Sequence, residues 1–425
     1  VVLKFCKSRT YHDPLHGAIS LNGGDPVEAL LIRLIDTPAF QRLRRIRQLD
    51  AASFTFHGAE GSRFTHSVGV LHVARRVFDK LANQYPDLRP YRALTLASAL
   101  LHDIGHSPFS HAGEDMFGCH HELWTKRILQ EDLQIAELLI GFSANLVDQM
   151  QQVIDKTFPL PIVIQLISSQ LDCDRFDYLM RDGLLTGAQY GHLDLDRIIT
   201  VLEYDTDRQS LLIPARKGLG PIEHYLTVRY FMYTQVYQHP KSLAARFVLN
   251  RLFKRARILL EKGDIALDPI LTAWLTTEVD TLPLPLYLAA DDVIFTYPFR
   301  FWCEHPDLIL SDLARRYLDR DLFKARNITH LSPDRQTELH ENMSQQLLRD
   351  GLDPYYYIGI RYARTQGYSL YQQGISLKTE TGFREIAELS PLVRSLIENH
   401  PLLWLVFPRQ YSDWVENFLR PYGMS

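Results

Sequence analysis

Between Leu100 and Glu122 the chain reads LLHDIGHSPFSHAGEDMFGCHHE, which gathers His102, His106, His111, His120 and His121 into one short segment. No fold needs so many imidazoles so close together, so this stretch constrains the rest. Leu94 to Leu101 is apolar and rich in good helix formers, and it reads as a buried helix carrying His102 and Asp103 toward its C-terminal end. Adjacent helical positions point roughly 100° apart, so the pair can share one ion only if further ligands arrive from elsewhere. Taken alone, an apolar helix ending in His-Asp is more often a hydrogen-bonded helix end than a ligand pair. Gly105 and Pro108 then break the helix, and a second short helix is expected after Ser110. Such a bend can turn His106 and His111 back over an ion.

Two distant signals complete a ligand set. Arg63-Phe64-Thr65-His66-Ser67 opens an amphipathic helix through Val70, Leu71, Val73, Ala74 and Val77, with its histidine near the start. Ile162 to Met180 reads as one helix with acids at Asp172, Asp174 and Asp177. Together His66, His102, Asp103 and Asp174 would supply two neutral imidazoles and two carboxylates, cancelling the charge of one divalent cation and leaving positions for water and phosphate oxygens.

In chain order, DPLHG (13–17), IDTPAFQRLRRIRQL (35–49), RFTHSVGV (63–70), LLHDIGHSPFSH (100–111), His121-Glu122 and LDCDRFDYLMRD (171–182) resemble the HD phosphohydrolase superfamily, and within it the deoxynucleoside triphosphate triphosphohydrolases. The similarity spans about 1–240. It implies a mainly α fold: an HD helical core with a β-hairpin insertion and a small α+β C-terminal lobe. The divisions expected are 1–240 for the core with an N-terminal regulatory segment, 241–352 for a helical extension and 353–425 for the lobe.

By this resemblance the metal ligands are His66, His102, Asp103 and Asp174. The cation would be Mn, Mg, Fe, Ni or Zn, and a second Mg could accompany the substrate phosphates. His111 would lie at the scissile bond, supported by Glu114 and His121, with His106 on phosphate; aspartate is usual where Glu114 stands. Arg63, Arg175 and Arg229 would meet the triphosphate, a bidentate fork suiting phosphate oxygens. Gln48 and Leu49 would lie against the sugar and base edge, followed by Asp50 where glycine is common. Tyr178, Asp182 and Tyr237 would pack on the deoxyribose. Asp36, Gln41 and Arg44 match residues that hold an activator guanine nucleotide, GTP or dGTP, with Arg9 and His12 standing for the lysine and asparagine found in the family. Tyr233 stands where one branch has histidine, and Pro240 where lysine is found.

The resulting expectation is hydrolysis of a dNTP to deoxynucleoside and inorganic triphosphate by a homo-oligomer, dimer or tetramer. The alternatives are an HD-type phosphomonoesterase or phosphodiesterase, or a nucleotide sensor with weak catalysis. A formal charge of −4 on 425 residues argues against a constitutive nucleic-acid binder. Cys6, Cys119, Cys173 and Cys303 form no CxxC pair or disulfide framework, which suits the cytoplasm, and no apolar run approaches the roughly 20 residues that span a bilayer. The first ten residues are no signal peptide, and the absence of an initiator Met suggests trimming.

The remaining chain is read more coarsely. Ala39 to Leu49 is expected to be a helix whose arginines form mostly a solvated basic face. Thr200 to Pro214 reads as a β-hairpin, with Arg216 and Lys217 in the loop before a helix from Ile222. His16 is expected to hydrogen-bond within the DPLHG turn. His57, His72 and His120 are taken as structural. Helices are expected from Ala244 to Leu260 and Leu308 to Leu318, and β-rich runs after about Asp353.

Overall fold

The computed structural model describes residues 6–365, 368, 374–398 and 400–422. It is mainly helical, and what positions the site is the meeting of three helix ends. Helix α3 (Arg63–Gln84) starts where the Ser62 side chain accepts a hydrogen bond from Thr65 N, and it buries Phe64, Val68, Leu71 and Val77. Helix α4 (Arg92–Leu101) is buried from Ala93 to Leu101, as its composition predicts, and ends at His102. Helix α10 (Cys173–Thr186) begins at Asp172, whose side chain accepts from Arg175 N, and stops at Gly187 in the left-handed region (φ 72°). Helix α3 packs on both α4 and α10, which brings His66, His102 and Asp174 to one point.

The elements before α3 are a hairpin of β1 (Arg9–Asp13) and β2 (Gly17–Leu21), then α1 (Pro26–Ile35) and α2 (Pro38–Gln41). Between α4 and α10 lie α5 (Ser110–Phe117), α6 (His121–Glu131), α7 (Leu133–Phe142), α8 (Leu146–Ile154) and α9 (Pro161–Ile167). After α11 (Leu195–Val201) comes the expected hairpin, β3 (Glu203–Asp205) with β4 (Ser210–Leu212), and then α12 (Ala215–Met232) and α13 (Pro240–Lys262). A helix at Leu308–Leu318 follows as expected.

The C-terminal sheet is antiparallel, in the order β5 (Lys324–Asn327), β9 (His400–Phe407), β6 (Gly359–Thr365), and β7 (Ser376–Thr379) pairs with β8 (Gly382–Glu385). Strand β5 thus comes from the stretch read as helical extension.

Several expectations are corrected. The helix read over Ala39–Leu49 breaks at Arg42–Arg45 into a tighter turn, and the chain then runs extended. There Arg47 bridges Ser62, Gln48 N donates to Gly61 O at 2.8 Å and Arg63 N to Ile46 O at 2.9 Å. Nor is Arg42 part of a solvated face: it is buried, Nε donating to Ala290 O at 2.7 Å with its guanidinium over Tyr287. The Ile162–Met180 helix is two, α9 and α10, because Asp172 accepts from Ser169 N as well as capping α10. Helix α12 starts at Ala215, so Arg216 and Lys217 are helical.

Candidate active site

His66 Nε2 lies 3.0 Å from Asp174 Oδ1 and 3.6 Å from Asp103 Oδ2; His102 Nε2 lies 3.3 Å from Asp103 Oδ1 and 3.6 Å from Asp174 Oδ1. The four expected ligands therefore converge from three separate parts of the chain. His102 Nδ1 meets Ala99 O at 2.9 Å, which directs Nε2 into the cluster. Burial opposes charge on His66, yet Asp174 and Asp177 raise its pKa to about 10; Asp103 and Asp174 likewise raise that of His102 against burial. Against burial, His102 and Arg63 hold Asp103 well below the usual carboxylate range. Unoccupied by a cation, such a cluster holds protons instead, and a divalent ion competes for the same atoms. His66, His102 and Asp103 offer donor atoms within 4.8 Å of one another, a set that could hold a metal ion.

The turn after His102 is pinned from two sides. Gly105 N donates to Thr125 Oγ1 at 3.1 Å, and the buried Tyr287 hydroxyl donates to Gly105 O at 2.6 Å. A Cβ at Gly105 would sit 2.2 Å from His121 O, so only glycine allows this approach. The turn delivers His106, which is buried, stacks on His121 at 4.2 Å and places Nε2 3.3 Å from Asp103 Oδ1. Burial and the neighbouring Arg63 push the His106 pKa well down, favouring the neutral ring. Glu114 bridges the other two histidines: Oε2 meets His111 Nδ1 at 2.7 Å, while Oε1 meets His121 Nδ1 and accepts from His121 N at 2.9 Å. The longer side chain at 114 thus reaches both rings. Hydrogen bonds from His111 and His121 outweigh burial and hold the Glu114 carboxyl far below its usual range, and Glu114 in turn raises His121 against burial.

Arg63 is buried and donates to Asp103 Oδ2 at 2.5 Å and Ser110 Oγ at 2.9 Å, tying the metal cluster to the start of α5. Arg175 pairs with Asp172, and Arg229 Nη1 donates to Gln170 Oε1 at 2.7 Å. The Tyr178 and Tyr237 rings lie 6.0 Å apart, and Tyr237 Oη donates to Asp182 Oδ2 at 2.9 Å from a π-helical turn at Tyr233–Tyr237. Leu49 packs in a small cluster with Ala52, Ala59, Phe56 and Tyr237. Asp50 has φ 41°, which explains the preference for glycine there; Arg246 holds its carboxylate by two contacts of 2.9–3.0 Å.

Among the described residues, buried polar atoms without a hydrogen-bond partner include Gln48 Oε1, His66 Nε2, His102 Nε2, His106 Nδ1, Arg175 Nε, Asp182 Oδ1 and Arg229 Nε. Leaving such atoms unsatisfied costs stability, and a bound ligand would satisfy those of the His66–His102 cluster. Alongside runs a cavity of about 110 Å³ bounded by His102, Asp103, Asp174, His121 and Thr125.

The residues expected at an activator site form a separate group. Arg9 makes a two-contact ion pair with Asp36 at 2.9 and 3.2 Å, Gln41 Nε2 donates to Ile35 O, and Arg44 Nε donates to Gln41 Oε1, both at 2.7 Å. His12 is one residue from Tyr11 and three from Arg9 on β1 and so lies on the opposite face of the strand from both. Sequence reasoning missed two contributors to the metal cluster: Asp177, which meets His66 Nδ1 at 2.9 Å, and His16, whose ring leaves the DPLHG turn to meet Asp177 at 2.7 Å. The signal for both was present, in the DPLHG motif and in the third acid of LDCDRFDYLMRD.

The sequence model of the HD domain matches residues 63–166. The uncharacterized protein YwfO of Bacillus subtilis is 35% identical over 92% of this chain and 90% of its own length. The chain belongs to the HD-domain family. The matched segment of this HD-domain protein carries His66, His102 and Asp103, while Asp174 lies beyond it. Proteins named deoxynucleoside triphosphate triphosphohydrolase SAMHD1 are more distant: the Dictyostelium discoideum homolog is 30% identical over 62% of this chain, and the Gallus gallus protein 28% identical over 58%. The chain spans about half of their lengths, 52% and 45%. Among solved structures, a phosphohydrolase from Bacteroides thetaiotaomicron superposes with a TM-score of 0.81 at 29% identity, covering 95% of this chain and all of that one. Among the described residues, no helix is long and apolar enough to cross a membrane.

Proposed function

We propose that this HD-domain protein hydrolyses deoxynucleoside triphosphates to deoxynucleoside and inorganic triphosphate. The observation that carries the reading is the convergence of the His66, His102, Asp103 and Asp174 donor atoms, supported by buried polar atoms of Gln48, Arg175, Asp182 and Arg229 that have no hydrogen-bond partner. The first group suits a cation, the second a polyanion attached to a sugar. A divalent cation held by the four ligands would lower the pKa of a water toward about 7 and polarise a phosphoryl oxygen.

The chain's own groups supply the remainder. Water attacks the α-phosphorus, the bond from that phosphorus to the 5′ oxygen breaks, and His111 delivers the proton that the departing oxygen needs. Glu114 fixes Nδ1–H of His111, leaving Nε2 for transfer, and its carboxylate stabilises the imidazolium that precedes the transfer. Arg175 and Arg229 offer donors for the phosphate chain. Tyr178 and Tyr237 close on the sugar, where a neighbouring ring leaves little room for a 2′-hydroxyl. Arg9, Asp36, Gln41 and Arg44 form the candidate site for a guanine-nucleotide activator in a homo-oligomer.

The test is a product assay over all four dNTPs, with and without GTP or dGTP, using metal-analysed protein. Intact inorganic triphosphate is the expected product. Orthophosphate alone, or cleaved oligonucleotide in its place, overturns the assignment.

A further inference from the structure

Asp177 lies three residues beyond Asp174 on α10 and is fully buried. Its Oδ2 accepts from His66 Nδ1 at 2.9 Å and Arg181 Nε at 2.8 Å; its Oδ1 accepts from His16 Nε2 at 2.7 Å and Arg181 Nη2 at 3.0 Å. Arg181 Nη1 continues to Asp13 Oδ2 at 2.8 Å, and Asp13 Oδ1 accepts from the backbone N–H of Leu15 and His16, both at 2.9 Å. Every member of this chain of contacts is buried or nearly so.

An ionised carboxylate only accepts, and here four donors fill it. His66 must therefore carry a hydrogen on Nδ1, which leaves Nε2, 3.0 Å from Asp174 Oδ1 and 3.6 Å from Asp103 Oδ2, as the nitrogen that can give its lone pair to a cation. Two carboxylates against one guanidinium also leave a net negative charge behind the ring, which makes its free nitrogen a better donor to a cation. Helix α3 is shaped for this arrangement. At Gly69, one turn beyond His66, a Cβ would lie 2.1 Å from Asp177 Oδ1 and 2.2 Å from Arg181 Nη2.

We propose that Asp177 is the positioning residue of the metal site, and that the Asp13–Gly17 turn of the N-terminal hairpin is built into its support through His16 and Asp13. The turn then serves the cation rather than only closing a hairpin. Because Arg9 on the same hairpin is paired with Asp36, the segment that bears the candidate activator residues is linked to the back of His66 through His16 and Asp177. The inference rests on the cation reading above.

Mn2+ titration of the purified full chain, followed by the electron paramagnetic resonance of the free ion, separates the two claims. Wild type is expected to bind Mn2+. Asp177→Asn, which can no longer accept from all four donors, should weaken binding by roughly 10–100-fold, the range found when such partners of ligating histidines are removed. His16→Ala leaves the Asp177–His66 contact in place and should weaken binding by a smaller factor. Excess Mn2+ should restore turnover in both, which a purely structural lesion would not allow. If wild type binds no Mn2+, the cation reading itself fails. If wild type binds and a folded Asp177→Asn binds within about twofold of it, the positioning role is overturned and the cation reading stands. Should Asp177→Asn not fold, His16→Ala and Gly69→Ala decide: unchanged Mn2+ affinity in both overturns the role.

Discussion

His111 differs from its neighbours in one measurable way: its side chain is 68% exposed, whereas that of His106 is 1% exposed and that of His66 fully buried. An imidazole that must exchange protons with water between turnovers needs that access, and one that must hold a cation or pack beneath it does not. His111→Ala should therefore leave Mn2+ binding intact while lowering kcat by about 10²–10⁴-fold, the range for loss of a positioned acid; unchanged turnover refutes the role. Asp182 yields a pH prediction. Burial raises its pKa to about 7 despite the Tyr237 hydroxyl. A carboxyl whose folded pKa exceeds its unfolded value near 3.9 binds more protons when folded, so its contribution is present at low pH and is lost as pH rises toward 7. Urea unfolding of Asp182→Asn at pH 5 and pH 8 should show that slope removed, with a gain at pH 8 on the order of 1–4 kcal/mol.

Helix α5, which carries His111 and Glu114, begins under strain. Phe109 and Ser110 have φ of 60° and 52°, a left-handed conformation that costs of order 1–3 kcal/mol for each non-glycine residue. Asp292, at the start of a short helix Asp292–Thr296, holds the bend by accepting from Phe109 N at 2.8 Å and Arg47 N at 2.9 Å, and Ser110 Oγ donates to Arg47 O at 2.6 Å. Asp292→Ala should release the bend, displacing His111 from its working position, so kcat should fall at least tenfold while Mn2+ affinity stays within a few-fold; equal kcat shows that α5 holds its start without this carboxylate. Elements of this kind explain where the sequence misleads. The apolar pattern of Ile162–Met180 is continuous, but Asp172 bonds the backbone on both sides of itself and divides the run. In Ala39–Leu49 the pattern is helical too, yet the backbone after Arg45 pairs with residues 61–63, a partner that periodicity does not reveal.

Across the whole molecule, ligands drawn from α3, α4 and α10 make the cation a clamp between helices that are distant in sequence. Mn2+ at about 100 times its Kd should then stabilise the fold by about 2.7 kcal/mol over chelator-treated protein, read as a rise in Tm, and His66→Ala should abolish the rise. A rise of equal size in that variant would place the ion elsewhere. The sequence by itself determined the mainly helical class and the hairpin at 203–212, which are local patterns of residue type and spacing, and offered the four ligand candidates from residue types at distant positions, while the Glu114-linked histidines followed from the resemblance to the HD phosphohydrolases. Only the tertiary structure decided that His16 and Asp13 stand behind His66, that Arg42 is buried, and that β5 joins the C-terminal sheet with β9. Those outcomes depend on which buried charge meets which partner across 160 residues or more and which strand edge is left open, and the free energy of such pairings comes from the packed environment, which no local spacing contains.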